Sequence, residues 1–341
     1  MNDENQQYFI VSSAPHAHSG STVQRIMLDV IIALTPALLA AFYLFGWHAV
    51  RLTAVCVLGC VGTEALCRKW MGRDLGISDL SAVVTGILLA MNLPPSLPTG
   101  MALVGCVIAI AIAKQVFGGI GYNPFNPALV ARVALLVSFP VAMTRWHEAL
   151  NPARWQGLAW TVPDASTTAT PLGLVKTALT MQQAAPIDWN QGTMLNYLLG
   201  NMSGCMGEVS AAALILGALY LLFRRCITWH IPVTYIGTVA IMATILRVVA
   251  PETNMPVSFH LLAGGLMLGA LFMATDMVTS PLTRRGQLIY GTGCGVLTML
   301  IRRWGGYPEG VSFAILLMNA ITPLINRYTQ PGIFGQSRKT K

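Results

Sequence analysis

Asp164-Ala165-Ser166-Thr167-Thr168-Ala169-Thr170-Pro171-Leu172 is the segment of this sequence whose residue types and spacing carry the most chemistry. Thr170 followed by Pro171 reads as an N-cap and first-turn proline that open a helix over 172–180. The same placement suits a second use. A hydroxyl at a helix N-terminus sits where free backbone N–H groups and the helix dipole favour a phosphate. The capping and phosphate-holding readings are compatible.

Two other segments carry polar groups among apolar ones. In Thr275-Asp276-Met277-Val278-Thr279-Ser280-Pro281 an acid is joined by hydroxyls and a proline. Freed backbone groups and the acid there could bind a cation or polar ligand, while Thr, Asp and Ser also serve simply as helix caps. Gly118-Gly119-Ile120-Gly121-Tyr122-Asn123-Pro124-Phe125-Asn126-Pro127 is a glycine-rich turn between two apolar runs. It could let a flat ligand approach the backbone, or let two helices pack closely. It lacks the strand and the Gly-Lys-Ser/Thr of a phosphate loop. Asp29, Glu64, Lys114, Arg132, Asp276 and Glu309 lie in or beside apolar runs, where buried charge is costly and usually functional. Asp29, Lys114 and Arg132 fall near predicted span ends, where snorkelling to headgroups is the competing reading.

The elements that must position these residues are membrane helices. The chain has 341 residues, 54% hydrophobic and only 10% charged, with a mean hydropathy of +0.60. Soluble domains are roughly 25% charged. A soluble globule and a disordered chain are therefore both excluded. The net charge of +8 comes from basic residues scattered over short loops, which points to a lipid bilayer as partner and not to nucleic acid. Residues 1–25 are polar, and the first apolar run is too long for a signal-peptide core. Apolar runs predict an all-α polytopic membrane protein with about ten transmembrane helices, near 26–46, 50–67, 80–94, 99–117, 127–143, 209–223, 229–250, 257–275, 287–303 and 309–326. The third runs into Leu93-Pro94-Pro95, which predicts a broken or re-entrant helix.

The expected organisation is a cytoplasmic segment 1–25, a five-helix half 26–143, a loop 144–208, a second five-helix half 209–326 and a tail 327–341. The loop holds Trp146, Trp155, Trp160 and Trp189. The run from Cys106 through Lys114 to Gly118-Gly119 has a counterpart from Cys294 through Arg302-Arg303 to Gly305-Gly306, and each precedes an apolar helix carrying Asn126 or Asn319. Five spans per half make such a repeat inverted, with a site expected near the midplane between the halves. With both termini inside, fourteen Lys and Arg, Arg132 among them, lie on the inner side and seven on the outer. The termini are thus expected in the cytoplasm and the loop outside. The seven cysteines form no Cys-x-x-Cys, and no metal site is expected.

Asp164-x-x-Thr167-Thr168-Ala169-Thr170 resembles the motif at which a flavin transferase esterifies FMN to a threonine. Ala14-Pro15-His16-Ala17-His18-Ser19, the 118–127 turn and Gly305-Gly306-Tyr307-Pro308-Glu309-Gly310-Val311-Ser312-Phe313-Ala314 match the same family. The chain resembles the D subunits of Rnf-type ion-translocating electron-transport complexes, a family shared with the B subunits of Na⁺-pumping NADH:quinone reductases. The resemblance implies FMN linked to Thr170, with Asp164, Ser166, Thr167, Thr168 and Ala169 read by the transferase. It implies an inner-membrane flavoprotein, working with other membrane and peripheral subunits to couple NADH/ferredoxin electron transfer to Na⁺ or H⁺ movement. The quinone-reductase relatives also bind riboflavin, and Asn123, Asn126 and Asp276 are the further cofactor-binding candidates. No catalytic residue is expected, since redox chemistry belongs to the cofactor. Met277 stands where the family's proline is expected after the Thr-Asp pair. A secondary transporter or channel built on the inverted repeat is the competing reading, and a cofactor-free structural subunit is a third.

Overall fold

The structure is a computed structural model that describes residues 22–330 except 75, 147–148, 150–168, 182, 184–186, 209 and 252–253. Its regular elements are helices. Three of them, α1 (Val23–Phe45), α2 (Trp47–Trp70) and α10 (His230–Val249), are long and apolar enough to cross a bilayer. Shorter apolar helices are α3 (Ser81–Met91), α4 (Thr99–Val107, continued by a π-helical stretch Ile108–Gln115), α5 (Pro127–Ser138) and α9 (Ala211–Phe223). A brief α6 (Pro140–Met143) follows α5. The connecting segment contributes α7 (Pro171–Thr180) and α8 (Gln191–Leu199). The chain ends with α11 (Val257–Leu262), α12 (Leu266–Leu268, continued by a π-helical stretch Gly269–Met273), α13 (Arg284–Trp304) and α14 (Val311–Thr329). Helical segments thus occupy all ten apolar runs, though the fifth is interrupted at Phe139, ahead of Pro140.

Local chemistry sets the helix ends. Thr22, Asn126, Thr170, Asn190 and Thr283 each accept a first-turn backbone N–H as N-caps of α1, α5, α7, α8 and α13. Helix α3 stops at Met91, before the prolines, where the sequence predicts a break. A second break, at Ala263-Gly264-Gly265, divides what the sequence reads as one span over 257–275. Gly264 takes φ +77° there, a conformation that favours glycine. The carbonyls this break frees are taken up by a side chain: Arg302 donates to His260 O (2.6 Å) and Ala263 O (3.1 Å). Irregular backbone at membrane depth survives only with such internal partners.

Helix α1 packs along α9, α2 against α3 and α4, and α10 against α13, which packs in turn on α14. Helix α5 meets both α4 and α14. Glycines let these helices approach. A Cβ on Gly217 of α9 would lie 2.0 Å from Ala33 O of α1, and one on Gly86 of α3 would lie 2.7 Å from Val57 Cα of α2. Close approach through small residues is how helices associate where lipid offers no hydrophobic drive. The large apolar side chains left outside, among them Leu58, Leu66, Phe223, Val248 and Val249, give the molecule an apolar exterior suited to lipid.

The snorkelling reading of three charges is overturned. Asp29, Lys114 and Arg132 are buried and partnered inside the protein. Asp29 binds Arg224 (3.1 Å) and Tyr220 (2.8 Å) and so ties α1 to α9. Lys114 binds Glu64 (2.8 Å) and Ser81 (2.6 Å). Charges with polar partners within reach need not climb to the headgroups.

Candidate functional site

Two clefts hold the polar groups that the sequence singles out, one at each end of the helix assembly. The first, an open space of about 610 Å³, is lined by Thr170, Arg132, Glu208, Glu309 and the aromatic side chains of Trp146, Tyr307 and Phe313. Thr170 is buried at its wall. Its Oγ1 accepts from Gly173 N at 3.0 Å, as an N-cap should, and α7 begins at Pro171. Helix α7 is fixed to the membrane helices. Leu172, Val175 and Ala178 are buried, and Lys176 Nζ donates to Arg302 O at 2.9 Å. Further along the loop Trp189 Nε1 donates to Ser258 Oγ (2.8 Å) and packs edge-on against Phe259. Trp155 and Trp160 lie outside the described residues.

Beneath Thr170 lies a charged cluster. Arg132, from α5, pairs with Glu309 and donates to Asn92 Oδ1 (2.7 Å) and Cys205 Sγ (3.4 Å). Glu309 also accepts from Gly265 N (2.9 Å), at the break between α11 and α12. Glu208, in a one-turn 3₁₀ helix ahead of α9, is 4% exposed. Its Oε1 has no hydrogen-bond partner among the described residues. Burial pushes its carboxyl up to about 7, although Arg132 and Cys205 pull the other way. Cys205, Glu208 and Glu309 bring their ligand atoms within 4.8 Å of one another, as a metal site would. Arg132 binds two of the three, so its guanidinium already supplies the positive charge a metal ion would bring.

The residues present fit a flavin phosphoester. The hydroxyl stands at a helix N-terminus whose dipole favours phosphate, and Arg132 adds a cation nearby. The stacked rings of Tyr307 and Phe313 (centroids 5.2 Å apart) give a flat wall. Gly264 keeps the floor low, since a Cβ there would lie 2.4 Å from Leu172 Cδ1. Ala169 is described and exposed, whereas Asp164, Ser166, Thr167 and Thr168 lie outside the described residues, as do His16 and His18.

The second cleft, of about 880 Å³, brings together Asn123, Asn126 and Asp276, with Lys114, Ser81 and Thr85 beside them. Asn126 Oδ1 caps α5, and its Nδ2 donates to Met273 O (3.4 Å) at the end of the second π-helical stretch. With the Asn319 amide oriented to satisfy both its ends, its oxygen accepts from Asn126 N (3.2 Å) and its nitrogen donates to Tyr290 Oη. Asp276 accepts from Val278 N and Thr279 Oγ1, both at 3.3 Å. The turn forms with Met277 where a proline was expected, because the Asp276 carboxylate caps it. Behind Lys114, Glu64 also accepts from Gln115 (2.9 Å) and Arg68 (3.0 Å).

Sequence reasoning missed Glu208, Asn92, Cys205 and Arg302 as members of the first cluster. It also put Arg132 on the inner side. The structure puts Arg132 in one cleft with Thr170 and Glu309, one and a half turns into α5.

Residues 10–335 match the family described as "NQR2, RnfD, RnfE family". The chain is 46% identical over 337 residues to the D subunit of the Na(+)-translocating ferredoxin:NAD(+) oxidoreductase complex of Acetobacterium woodii, covering 99% of this chain and 98% of that protein. It is 46% identical over 332 residues to the D subunit of the proton-translocating ferredoxin:NAD(+) oxidoreductase complex of Clostridium ljungdahlii, with 97% of each covered. It is 43% identical over 334 residues to the D subunit of the ion-translocating oxidoreductase complex of Stutzerimonas stutzeri, with 94% of each covered. The resemblance read from the motifs therefore holds over nearly the whole length, and the chain belongs to the NQR2, RnfD and RnfE family.

Proposed function

We propose that this chain is the membrane flavoprotein subunit of a redox-driven, ion-translocating oxidoreductase complex, with FMN esterified to Thr170. The observation that carries the reading is the cleft itself: a buried threonine hydroxyl at a helix N-terminus, faced by aromatic rings and by Arg132. The names of the relatives support an assembly with other subunits, which we take to be membrane and peripheral ones, that moves electrons between ferredoxin and NAD(+) and moves Na⁺ or H⁺. A bound FMN would supply reversible electron storage. The chain's own part is to hold the phosphate at Thr170 and the first turn of α7, to flank the ring with Tyr307 and Phe313, and to limit water with Leu172 and Pro308. Asp164, Ser166, Thr167, Thr168 and Ala169 would present the segment to a flavin transferase. Asn123, Asn126 and Asp276 would line a second, non-covalent flavin site of riboflavin type.

The 5+5 inverted repeat belongs to the same reading. Helix α2 packs on α4 as α10 packs on α13, and α4 meets α5 as α13 meets α14. The first helices of the two halves pair with each other, and so do the last, an arrangement compatible with a two-fold axis in the membrane plane. Asn126 N donates to the Asn319 side-chain oxygen and so joins the two halves. Thr170 would face the outside of the inner membrane, with loop 144–208, and the termini the cytoplasm.

Flavin fluorescence of the denatured protein on a gel, after expression with the transferase, tests the reading. Wild type should fluoresce and Thr170→Ala should be dark. Two dark lanes, or a fluorescent Thr170→Ala, would reject covalent FMN at Thr170. The Asp276 cleft between the halves favours the transporter as second reading. Solute flux in liposomes holding this chain alone, without an electron donor, would support it.

A further inference from the structure

Glu208 is a buried carboxyl partnered on one side by Cys205 and drawn by Arg132 and Arg302, while its second oxygen is left over. Its carboxyl is 4% exposed and lines the Thr170 cleft, and Oε1 is buried without a hydrogen bond among the described residues. Removing a carboxylate from water with an acceptor unused is costly. The space is nevertheless built for it. A Cβ on Gly204 would lie 2.2 Å from Glu208 Oε2, and one on Gly207 would lie 2.8 Å from Met91 O. Gly207 thus lets the turn lie against the end of α3, and Gly204 leaves room for the carboxyl.

The charges facing Glu208 come from each element packed around it. Arg132 on α5 is held by Glu309, Asn92 and Cys205. Arg302 on α13 is held by the His260 and Ala263 carbonyls. Glu309 precedes α14, and the Cys205 thiol lies in the same turn as Glu208. Apart from the fixed negative charge of a phosphoester on Thr170, which neither proton nor electron transfer alters, two guanidinium groups and two carboxylates sum to zero when Glu208 is ionised. With Glu208 protonated the cluster carries one positive charge, which one added electron would cancel. Protonation of Glu208 and arrival of an electron therefore leave the buried cluster as neutral as neither does, and in a medium of low dielectric that equality favours moving both together.

We propose that Glu208 is the proton-exchanging residue of the Thr170 cleft, its carboxylate binding one proton at Oε1 when one electron enters a flavin held there and releasing it when the electron leaves. The inference rests on the reading that the cleft holds flavin. The electron comes from the complex's own donor chain. The proton comes from water at the cleft mouth, where Thr144 is exposed, and an O–H bond on Glu208 is the bond made and broken. A carboxyl held at about 7 by burial exchanges its proton at cellular pH, where an ordinary glutamate stays ionised.

The test uses the purified complex loaded with flavin. Reduced-minus-oxidised infrared difference spectra above neutral pH should contain a carboxylic-acid C=O band. That band should shift on ¹³C-glutamate labelling and vanish in Glu208→Gln. In parallel, the midpoint potential of the Thr170-linked flavin should fall with pH across the range from about 6 to 8 in wild type, and fall less steeply in Glu208→Gln. A wild type without the band, or an unchanged band and slope in Glu208→Gln, overturns the proposal. If Glu208→Gln fails to assemble, the labelled wild-type spectrum decides alone. Gel fluorescence of the same samples separates the two ideas. A fluorescent wild type without the band sinks the role of Glu208 only, whereas a dark wild type sinks the flavin reading and this role with it.

Discussion

At Thr170 the N-cap and the proposed flavin ester would share one atom, and substitution separates them. As N-cap, Oγ1 satisfies Gly173 N at 3.0 Å, and removing such a cap costs about 1 kcal/mol. Thr170→Ala should lose both that stability and the flavin. Thr170→Asn keeps a capping oxygen without a hydroxyl to esterify, so it should melt close to apo wild type yet stay dark on a gel. If Thr170→Asn melts as low as Thr170→Ala, the cap is not what holds α7. Glu208 gives a pH dependence with a definite sign. Its proton is held more tightly in the folded protein, at about 7, than at the ordinary value of 4.5. Stability from this group is therefore fully present below about 4.5, declines as pH rises toward 7, and is level above. The melting-temperature gap between Glu208→Gln and wild type should widen in favour of the glutamine variant from about pH 5 to pH 8. A constant gap would mean that Glu208 is ionised throughout. Thr170 was legible in the sequence because a cap, a first-turn proline and a hydroxyl-rich run coincide there. Glu208 was not, because Gly204-Cys205-Met206-Gly207-Glu208 has no periodicity. Its significance depends on Arg132 and Arg302, which are distant in sequence.

Among the elements, apolar run length was a sound guide to where helices lie but a poor one to where they break. Pro94-Pro95 announces the end of α3, since proline removes a donor and clashes with the preceding turn. The break at Gly264-Gly265 has no such mark, because its carbonyls are rescued by Arg302 from another helix. The π-helical stretches at Ile108–Gln115 and Gly269–Met273 were likewise invisible, as was α8, a short helix in a polar segment. Close packing can be tested with a matched pair of glycines. A Cβ on Gly86 meets the α2 backbone at 2.7 Å, while one on Gly62 meets nothing within 4 Å. Gly86→Leu should therefore force α3 from α2 and destabilise the protein by about 1–3 kcal/mol or more. Gly62→Leu, on the exposed face of α2, should be near neutral. Melting curves in one detergent compare them, and equal curves would mean that the α2–α3 contact is not close.

For the whole molecule, the polar groups divide between two ends, and each end has its own chemistry. Thr170, Arg132, Glu208, Glu309 and Arg302 gather at one. Asp276, Lys114, Asn123 and Asn126 gather at the other, with Arg68 and Asp79 behind them. If the repeat inverts the second half, one cleft opens to each side of the membrane, and under the proposed function electrons would pass between sites that face different compartments. Charge counting predicts the Thr170 end outside, because thirteen cations oppose eight once Arg132 is counted with that end. Single cysteines decide it. Met181, at the end of α7, is 62% exposed, and Trp70, at the end of α2, is 92% exposed. In a variant with its seven native cysteines replaced, Met181→Cys should react with a membrane-impermeant maleimide added to intact spheroplasts. Trp70→Cys should react only once the membrane is opened. The reverse pattern would put Thr170 in the cytoplasm. It would also remove the outer compartment as the source of the proton that Glu208 exchanges. Labelling of both residues from the same side would contradict the opposed clefts and, with them, the inverted repeat.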